Sequence, residues 1–239
     1  MNAVILQPMY LPWAGYFGLI DQADIFVYYD DVQFVHQSWQ RRNRIKVPDG
    51  EFTWLSVPIE KDFGQNINEV EIRTELNWRN KHWKALKHSY SATEHFKQYA
   101  DSFKQVYDQE WKKLIDIDTA LVEVLADALG VASPEFVYAS NLDPSGVKTD
   151  RLLSVLEAIG ADEYISGPGA KDYIDISKFE NREIDLYWHH FDHPTYDQPH
   201  GEFVSHLSAI DLLFATGERG LSLIREGEED ALKRATVGK

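Results

Sequence analysis

The chain begins MNAVILQPMYLPWAGYFGLIDQADIFVYYDD (residues 1–31), and this stretch decides the fold. The apolar run 3–6 predicts a short buried strand that ends at Gln7–Pro8. Residues 15–23 fit a short helix, and residues 25–29 are a second apolar run that stops at two aspartates. Strand, helix and strand, with both strands apolar, is the βαβ pattern of a parallel sheet covered on both faces.

The middle of the chain changes character. Residues 44–47 and 53–58 flank Pro48–Asp49–Gly50, which predicts a hairpin, and residues 68–73 predict a further short strand. Aromatic and aliphatic residues then recur at three- and four-residue spacing from Trp78 to about Leu129, which predicts helices that end at Gly130.

The second half returns to the alternating pattern. The predicted elements are strands at 136–139, 163–166 and 184–188 and helices at 150–159 and 208–215. We therefore expect a single α/β domain over 1–225 with a helical insertion at about 77–130. The residues from 226 to 239 are expected to form a polar, frayed tail.

Composition limits the classes of function. The formal net charge of −15 repels duplex nucleic acid, although one cationic pocket can still hold a small anion. The chain contains no cysteine, which excludes disulfides, thiol catalysis and cysteine zinc sites. No apolar stretch approaches ~18 residues and no signal peptide is recognisable, so we expect a cytoplasmic protein without a membrane span.

Ligands of open α/β sheets bind outside the carboxyl ends of the strands. Four predicted strand ends carry polar, turn-forming or aromatic residues, and the topology brings them to one edge of the sheet. These clusters are residues 7–10, 30–33, 166–169 and 189–193.

The turn after the strand at 163–166 resembles an anion-binding loop. Gly167 and Gly169 leave backbone N–H groups free for a phosphate, Ser166 adds a hydroxyl and Lys171 adds a positive charge. Tyr173 follows as a further candidate ligand-binding residue. The alternative is a tight turn that merely needs glycine.

Residues 37–46 are the basic cluster of an acidic first half. Arg42, Asn43 and Lys46 are candidates for binding a phosphate or a carboxylate, and Trp39 is a candidate stacking face. The alternative is an exposed, solvated loop.

Two aspartates precede that cluster. Asp30 and Asp31 are candidates to hold Mg²⁺ or a substrate hydroxyl, or they simply terminate the strand. Of the two, Asp31 is our candidate catalytic residue, and Gln33 is a candidate ligand-binding residue.

The stretch 188–194 contains residue types that bind metals. However, His189 and His190 are adjacent and point to opposite faces of a strand, so we assign no metal site. A metal-dependent hydrolase that uses this stretch is an alternative. We instead select His193 as the candidate acid or base. The loop after it supplies two more candidate ligand-binding residues, Tyr196 and Gln198.

Five motifs together resemble the WbqC-like family. They are QPMYLPWAGYF, ADIFVYYDDVQF, SWQRRNRIK, YISGPGAKDYID and HPTYDQPHGEFVSHLSAIDLLFATG, which extend to about Gly217. The family often carries histidine before Gln-Pro, where this chain has Leu6. The resemblance implies a bacterial cytoplasmic protein of surface-polysaccharide (O-antigen) biosynthesis that acts on a nucleotide-sugar or a related intermediate.

The order of elements is also similar to the pantothenate synthetase and nucleotidyltransferase group. That resemblance implies a Rossmann-like (HUP-like) parallel sheet and binding of ATP, with Mg²⁺, after the first strand and at the late serine-containing turn. The HxGH-type signature of the group is absent here, so its usual adenylate chemistry is not implied.

These observations lead to one hypothesis and one rival. The first is a transferase or ligase, in its most specific form one that transfers an acyl or aminoacyl group to an amino sugar through an adenylate. Gln7, Tyr10 and Trp13 would form one wall of its pocket. The rival is a non-catalytic protein that binds a carbohydrate or a nucleotide.

Overall fold

The computed structural model describes residues 1–60, 64–228 and 231–236. Its strands are β1 (Asn2–Leu6), β2 (Ile25–Tyr28), β3 (Arg42–Lys46), β4 (Phe52–Ser56), β5 (Glu135–Tyr138), β6 (Glu163–Ser166), β7 (Asp185–His189) and β8 (Leu232–Arg234). Its helices are α1 (Ala14–Gln22), α2 (Trp78–Tyr90), α3 (Phe96–Asp108), α4 (Leu114–Leu129), α5 (Thr149–Ile159), α6 (Ile176–Glu180), α7 (Ala209–Thr216) and α8 (Arg219–Glu226).

Six strands form one sheet in the order β5-β2-β1-β6-β7-β8, and β3 and β4 form a separate hairpin. The first five strands of the sheet are parallel to their neighbours. The chain builds outward from β1 through β2 to β5, then crosses to the other side of β1 to form β6 and β7. The expected Rossmann-like α/β fold is confirmed, and the direction of building reverses between β1 and β6.

The sheet has a hydrophobic core on each face. Successive residues of a strand point to opposite faces, so Val4 and Phe26 belong to one core and Ile5 and Val27 to the other. Helices α1, α2, α3, α4, α7 and α8 pack on the first face, and α5 and α6 on the second. Burial on both faces explains why β1 and β2 are almost entirely apolar.

The strand predicted at 68–73 is wrong. Residues Ile67–Glu69 form a 3₁₀ turn, because Asn66 and Glu69 cap each other in a reciprocal capping box. Beyond the turn, Glu71 and Ile72 each make only an isolated bridge, to Lys113 and Ile59.

The expectation of a frayed tail is also wrong for the described residues after 225. Strand β8 pairs antiparallel with β7, with Leu232 opposite His189 and Lys233 opposite Trp188. Just before β8, Glu228 accepts a hydrogen bond from Nε2 of His189 over 2.7 Å and another from the side-chain amide of Gln22. The end of the chain therefore ties α1 to β7.

Among the described residues, no helix combines the length and apolar character that crossing a membrane requires.

Candidate ligand-binding site at the switch point of the sheet

A cavity of about 280 Å³ lies at the carboxyl ends of β1, β2 and β6, where the strand order reverses. Ligands of doubly wound folds bind at this position. Its floor is apolar and its rim carries an amide, hydroxyls and backbone. The lining residues are Ile5, Leu6, Gln7, Met9, Tyr29, Leu152, Tyr164, Ser166, Gly167, Gly169, Ala170 and Tyr173. Five of our candidate residues therefore meet here: Gln7, Ser166, Gly167, Gly169 and Tyr173.

Gln7 is oriented by a second glutamine. Its Oε1 accepts a hydrogen bond from Nε2 of Gln40 over 2.8 Å, and Oε1 of Gln40 accepts in turn from the backbone N–H of Val35. Within the described residues Nε2 of Gln7 has no partner, so its donors are available at the cavity. Sequence reasoning gave Gln40 no role, because its only signal is an amide within the basic cluster.

The turn at Gly167 and Gly169 does not need glycine for its own geometry. Gly167 has φ −64°, and neither glycine adopts the left-handed conformation. A Cβ added at either position would meet no heavy atom within 4 Å. The two glycines therefore keep one wall of the cavity open and leave its backbone accessible.

Three tyrosines line the cavity. Burial raises the pKa of Tyr29 to about 12 and also raises the pKa values of Tyr164 and Tyr173. All three phenols are therefore neutral near pH 7 and suited to donate hydrogen bonds rather than to carry charge.

The two aspartates after β2 already have partners. Asp30 accepts from the amide and hydroxyl of Ser140 over 2.9 and 2.6 Å and from Asn68, which links the ends of β2 and β5. Asp31 forms an ion pair with Arg151 through Oδ2, and its buried Oδ1 has no partner among the described residues. Asp31 thus lies beside the cavity and serves to hold Arg151, and the described residues contain no group of three side chains suited to a metal. Gln33 is exposed and bridges Asn66 through its backbone.

A second cavity of about 230 Å³ adjoins the first and shares Leu6, Met9 and Gly167 with it. Trp13 forms one of its walls. The indole packs over Gly15, where a Cβ would collide with it, and meets Phe191 edge-on at 5.3 Å.

Trp13 also lines a third cavity of about 170 Å³, together with Trp39 and His206. Its indole is stacked with the imidazole of His206 at 5.9 Å. Trp13 therefore lies between the second cavity, which adjoins the switch-point cavity, and the third cavity, which Trp39 also lines.

Tyr10 is not a wall of any of these cavities. It is fully buried, and its hydroxyl lies 2.8 Å from Nδ1 of His82 and 2.5 Å from the hydroxyl of Tyr107. The chain turns inward after Pro8, so this ring belongs to the core between the sheet and the helices.

Two residues of the basic cluster are also structural. Asn43 is buried and donates to the carbonyl of Leu11 over 2.6 Å. Lys46 is fully buried and donates through Nζ to Oε1 of Gln198 over 3.1 Å and to the carbonyl of Glu202.

Gln198 and Tyr196 stabilise the long loop after β7. The Tyr196 hydroxyl donates to Asp211 over 2.8 Å, and the Tyr90 hydroxyl donates to the other oxygen of that carboxylate over 2.7 Å. Burial raises the pKa of Asp211. This network lies apart from the switch-point cavity.

His193 is held on both ring nitrogens. Its Nδ1 contacts the carbonyl of Pro194 at 2.9 Å, and its Nε2 accepts from the backbone N–H of His206 over 3.2 Å. Burial lowers its pKa, so the neutral ring with a proton on Nδ1 fits both contacts. In this arrangement His193 orders the loop and has no free nitrogen for a substrate.

Lys171 is exposed and lies outside the cavity lining. Its Nζ is 5.6 Å from the centre of the Trp188 ring. A positive charge that contacts the lining is instead that of Arg151, which interacts with Tyr29 and pairs with Asp31.

A larger cavity, of about 580 Å³, opens at the amino-terminal ends of β6 and β7. Its charged lining is mainly acidic, including Glu163, Glu180 and Asp185. It lies at the edge of the sheet opposite the switch point, so we place the candidate site in the smaller, glycine-walled cavity.

The family model of the WbqC-like protein family matches residues 7–222. This range includes Gln7 and the two glycines, Gly167 and Gly169, that line the switch-point cavity. The chain belongs to the WbqC-like protein family. It is also 34% identical over 228 residues to "Uncharacterized protein Rv1507c" of Mycobacterium tuberculosis (strain ATCC 25618 / H37Rv), an alignment that covers 94% of this chain and 97% of that protein. No solved structure matches the chain.

Proposed function

We propose that this member of the WbqC-like family binds a nucleotide or nucleotide-sugar in the switch-point cavity. There it would act as a transferase or ligase of surface-polysaccharide (O-antigen) biosynthesis. The observation that carries the proposal is the open wall formed by Gly167 and Gly169, which neither packing nor backbone conformation requires.

The lining suits a phosphorylated ligand with a polar head. Accessible backbone at Gly167 and Gly169 and the free amide of Gln7 supply donors, whereas the Ser166 hydroxyl donates to the carbonyl of Gly167 over 3.5 Å. Arg151 supplies a positive charge whose only ion-pair partner in the described residues is Asp31. The apolar floor, with Ile5 and Leu152, suits a base or a sugar ring.

The chemistry would be one of positioning. In the described part of the cavity no side chain is arranged as a nucleophile beside a base, so a reaction there depends on orientation and charge stabilisation. Transfer of an acyl or aminoacyl group to an amino sugar, driven by ATP, is the most specific form of the proposal. The carboxylates near the cavity do not fit a protein-held Mg²⁺ site, because Asp30 accepts three hydrogen bonds and the described residues contain no third acidic or histidine ligand beside Asp31, whose Oδ2 pairs with Arg151.

A second candidate is a non-catalytic binding protein of the same pathway. The engagement of both His193 ring nitrogens, and of one Asp31 oxygen with Arg151, favours it, because these are the acid–base groups that we selected from the sequence near the sheet edge.

A thermal-shift screen of nucleotides and nucleotide-sugars tests the binding step. We expect at least one to stabilise the wild type and not Gly169→Val, which adds bulk to a lining residue at a position where a Cβ meets no heavy atom within 4 Å, so that the unliganded fold is retained. Lys97→Ala, on the exposed face of α3, is the control that keeps the shift. Equal shifts in wild type and Gly169→Val would refute this location.

A turnover assay then separates the two candidates. Consumption of the stabilising nucleotide, or group transfer from it to an amino sugar, supports the enzyme. Tight binding without turnover, for every donor and acceptor pair tested, supports the binding protein.

A further inference from the structure

Three large aromatic side chains are exposed at the β3–β4 hairpin, two of them on β4 and one just before β3. Trp39, Phe52 and Trp54 retain 42, 38 and 40% of their surface. The two indoles are 5.3 Å apart and Phe52 meets Trp54 edge-on at 6.5 Å. Single exposed apolar residues are normal, but a contiguous group marks an interaction site.

Two arginines are interleaved with these rings. The guanidinium of Arg42 lies 4.5 Å from the centre of the Trp54 ring, and that of Arg44 lies 4.8 Å from Phe52. The β3–β4 register produces this arrangement, because Arg44 is directly opposite Trp54. We call Trp39, Arg42, Arg44, Phe52 and Trp54 the hairpin patch.

The arginines at and just before β3 form no ion pair with any described residue, although the chain has a net charge of −15. Within the described residues six arginines form ion pairs, whereas Arg41, Arg42 and Arg44 do not; Arg219, on α8, is the fourth without one. Burial and the charge of Arg42 lower the pKa of Arg41. Adjacent, uncompensated cations favour the binding of an anion.

The guanidinium groups are held in place by carbonyl groups. Arg42 donates through Nη2 to the carbonyl of Gln37 over 3.1 Å, and Arg44 donates through Nη2 to that of His206 over 3.0 Å. The buried Nε of Arg44 has no partner in the part of the chain that the structure describes. Each guanidinium is thus oriented and retains donors, which is the preorganised state that recognition of a carboxylate needs.

The patch borders the concave space between Trp13, Trp39 and His206, of about 170 Å³. A concave space of this size holds a small ring better than a flat protein surface would. Indole faces suit the C–H faces of a pyranose, and an oriented guanidinium suits a carboxylate.

We propose that the hairpin patch binds a pyranose sugar that bears a carboxylate, with its ring against Trp39 and its carboxylate on Arg42. This deepens the proposed function, on which it rests, because the sugar would be the acceptor or the sugar part of a substrate whose nucleotide lies in the switch-point cavity. Trp13, which lines both intervening cavities, would be the wall that the two share.

The test uses glucuronate and glucose, which share a ring and differ in the carboxylate, as probes for calorimetry and saturation-transfer NMR with the full chain. We expect glucuronate to bind the wild type at least ~10-fold more tightly than glucose, and Arg42→Gln to remove that preference. Trp39→Ala is expected to weaken both sugars. Arg219→Gln, an exposed arginine that also lacks an ion pair, is the matched control and is expected to behave as wild type.

Equal affinities for the two sugars, or an unchanged preference in Arg42→Gln, would overturn the proposal. So would binding to vesicles of anionic phospholipid that Arg42→Gln abolishes while glucuronate binds no variant, since the patch would then be a membrane contact.

The nucleotide thermal shift is measured on the same preparations. If the wild type binds glucuronate through Arg42 but responds to no nucleotide, the proposal for the hairpin patch stands and the proposed function fails. If a nucleotide stabilises the wild type but glucuronate does not bind through Arg42, the proposed nucleotide site stands and the proposal for the hairpin patch fails.

Discussion

Gln40 and Gln7, 33 residues apart in the chain, share a hydrogen bond of 2.8 Å that fixes which end of the Gln7 amide faces the cavity. Since Nε2 of Gln40 is the donor, Gln7 must present its oxygen to Gln40 and its own NH₂ group to the cavity. The buried Gln40 is itself fixed by the N–H of Val35.

This relationship makes Gln7→Glu an informative variant. A glutamate keeps the acceptor for Gln40 but places a second negative oxygen where the NH₂ group was. We expect the free energy of unfolding to stay within about 1 kcal/mol of wild type. The stabilisation by a nucleotide should fall by more than roughly half, because an anion would be repelled.

Thermal shift measures the binding, and urea unfolding measures the stability. Gln98→Glu, on the exposed face of α3, controls for the added charge. Full nucleotide stabilisation of Gln7→Glu would show that the amide does not face the ligand.

A buried hydrogen bond to Asp211 is predicted to contribute to stability. Tyr90→Phe removes one of the two hydroxyl donors to that carboxylate and should cost about 1–3 kcal/mol in urea unfolding. Tyr99→Phe is the matched control, since the buried Tyr99 hydroxyl has no partner within residues 1–60, 64–228 and 231–236, and it should be neutral or stabilising. Equal losses in both variants would contradict the role of the network.

The protonation of His82 predicts a pH dependence of stability. Burial lowers the pKa of His82 to about 4, while a carbonyl of Ser56 and the Tyr10 hydroxyl hold the neutral ring. Between pH 6.5 and about 4 the unfolded chain binds a proton that the folded chain does not, so stability falls as pH falls through this window. Across this window the difference in the pKa of His82 lowers the free energy of unfolding by about 3 kcal/mol.

Urea unfolding at several pH values measures it as the difference between wild type and His82→Gln. The variant should be less stable at pH 7 and should lose less stability on acidification. His88→Gln, exposed on the same helix, should keep the wild-type slope. Parallel curves for wild type and His82→Gln would contradict the assignment.

Asp118 predicts a pH dependence of the opposite sign. This carboxyl of α4 is fully buried, neither of its oxygens has a partner among the described residues, and burial raises its pKa well above its ordinary value. The folded chain therefore holds a proton that the unfolded chain releases above pH 4, which costs stability as pH rises.

Asp118→Asn cannot ionise, so its stability relative to wild type should increase from pH 5 to pH 8. Urea midpoints across that range measure the gain, and Asp127→Asn, exposed on the same helix, should show none. A gain that is independent of pH would mean that the carboxyl is not protonated in the fold.

The sheet and the position of the cavity are predictable from sequence, because they depend on apolar runs and on the stops that follow them. The runs 3–6 and 25–29 differ by only one residue at an end from β1 and β2. The turn after β6 was likewise predicted, although its glycines turned out to be dispensable for the turn itself.

The roles of individual polar residues were not predictable in the same way. Tyr10, Lys46 and His193 carry groups suited to a site, but long-range partners in distant segments bury or engage them. A single sequence contains no signal for such partners. The same is true of Gln40, whose importance arises only from its contact with Gln7.

Glu228 shows what this means for shortening the chain. The sequence places it in a dispensable polar end, yet its carboxylate contacts His189 at the end of β7 and leaves no room for a side chain at Gly18 of α1. Removing the last dozen residues would leave His189 buried without its acid and would open the outer edge of β7 to pairing with other chains. A truncation at this position would therefore destabilise the packing around Trp13 and Phe191 and promote aggregation.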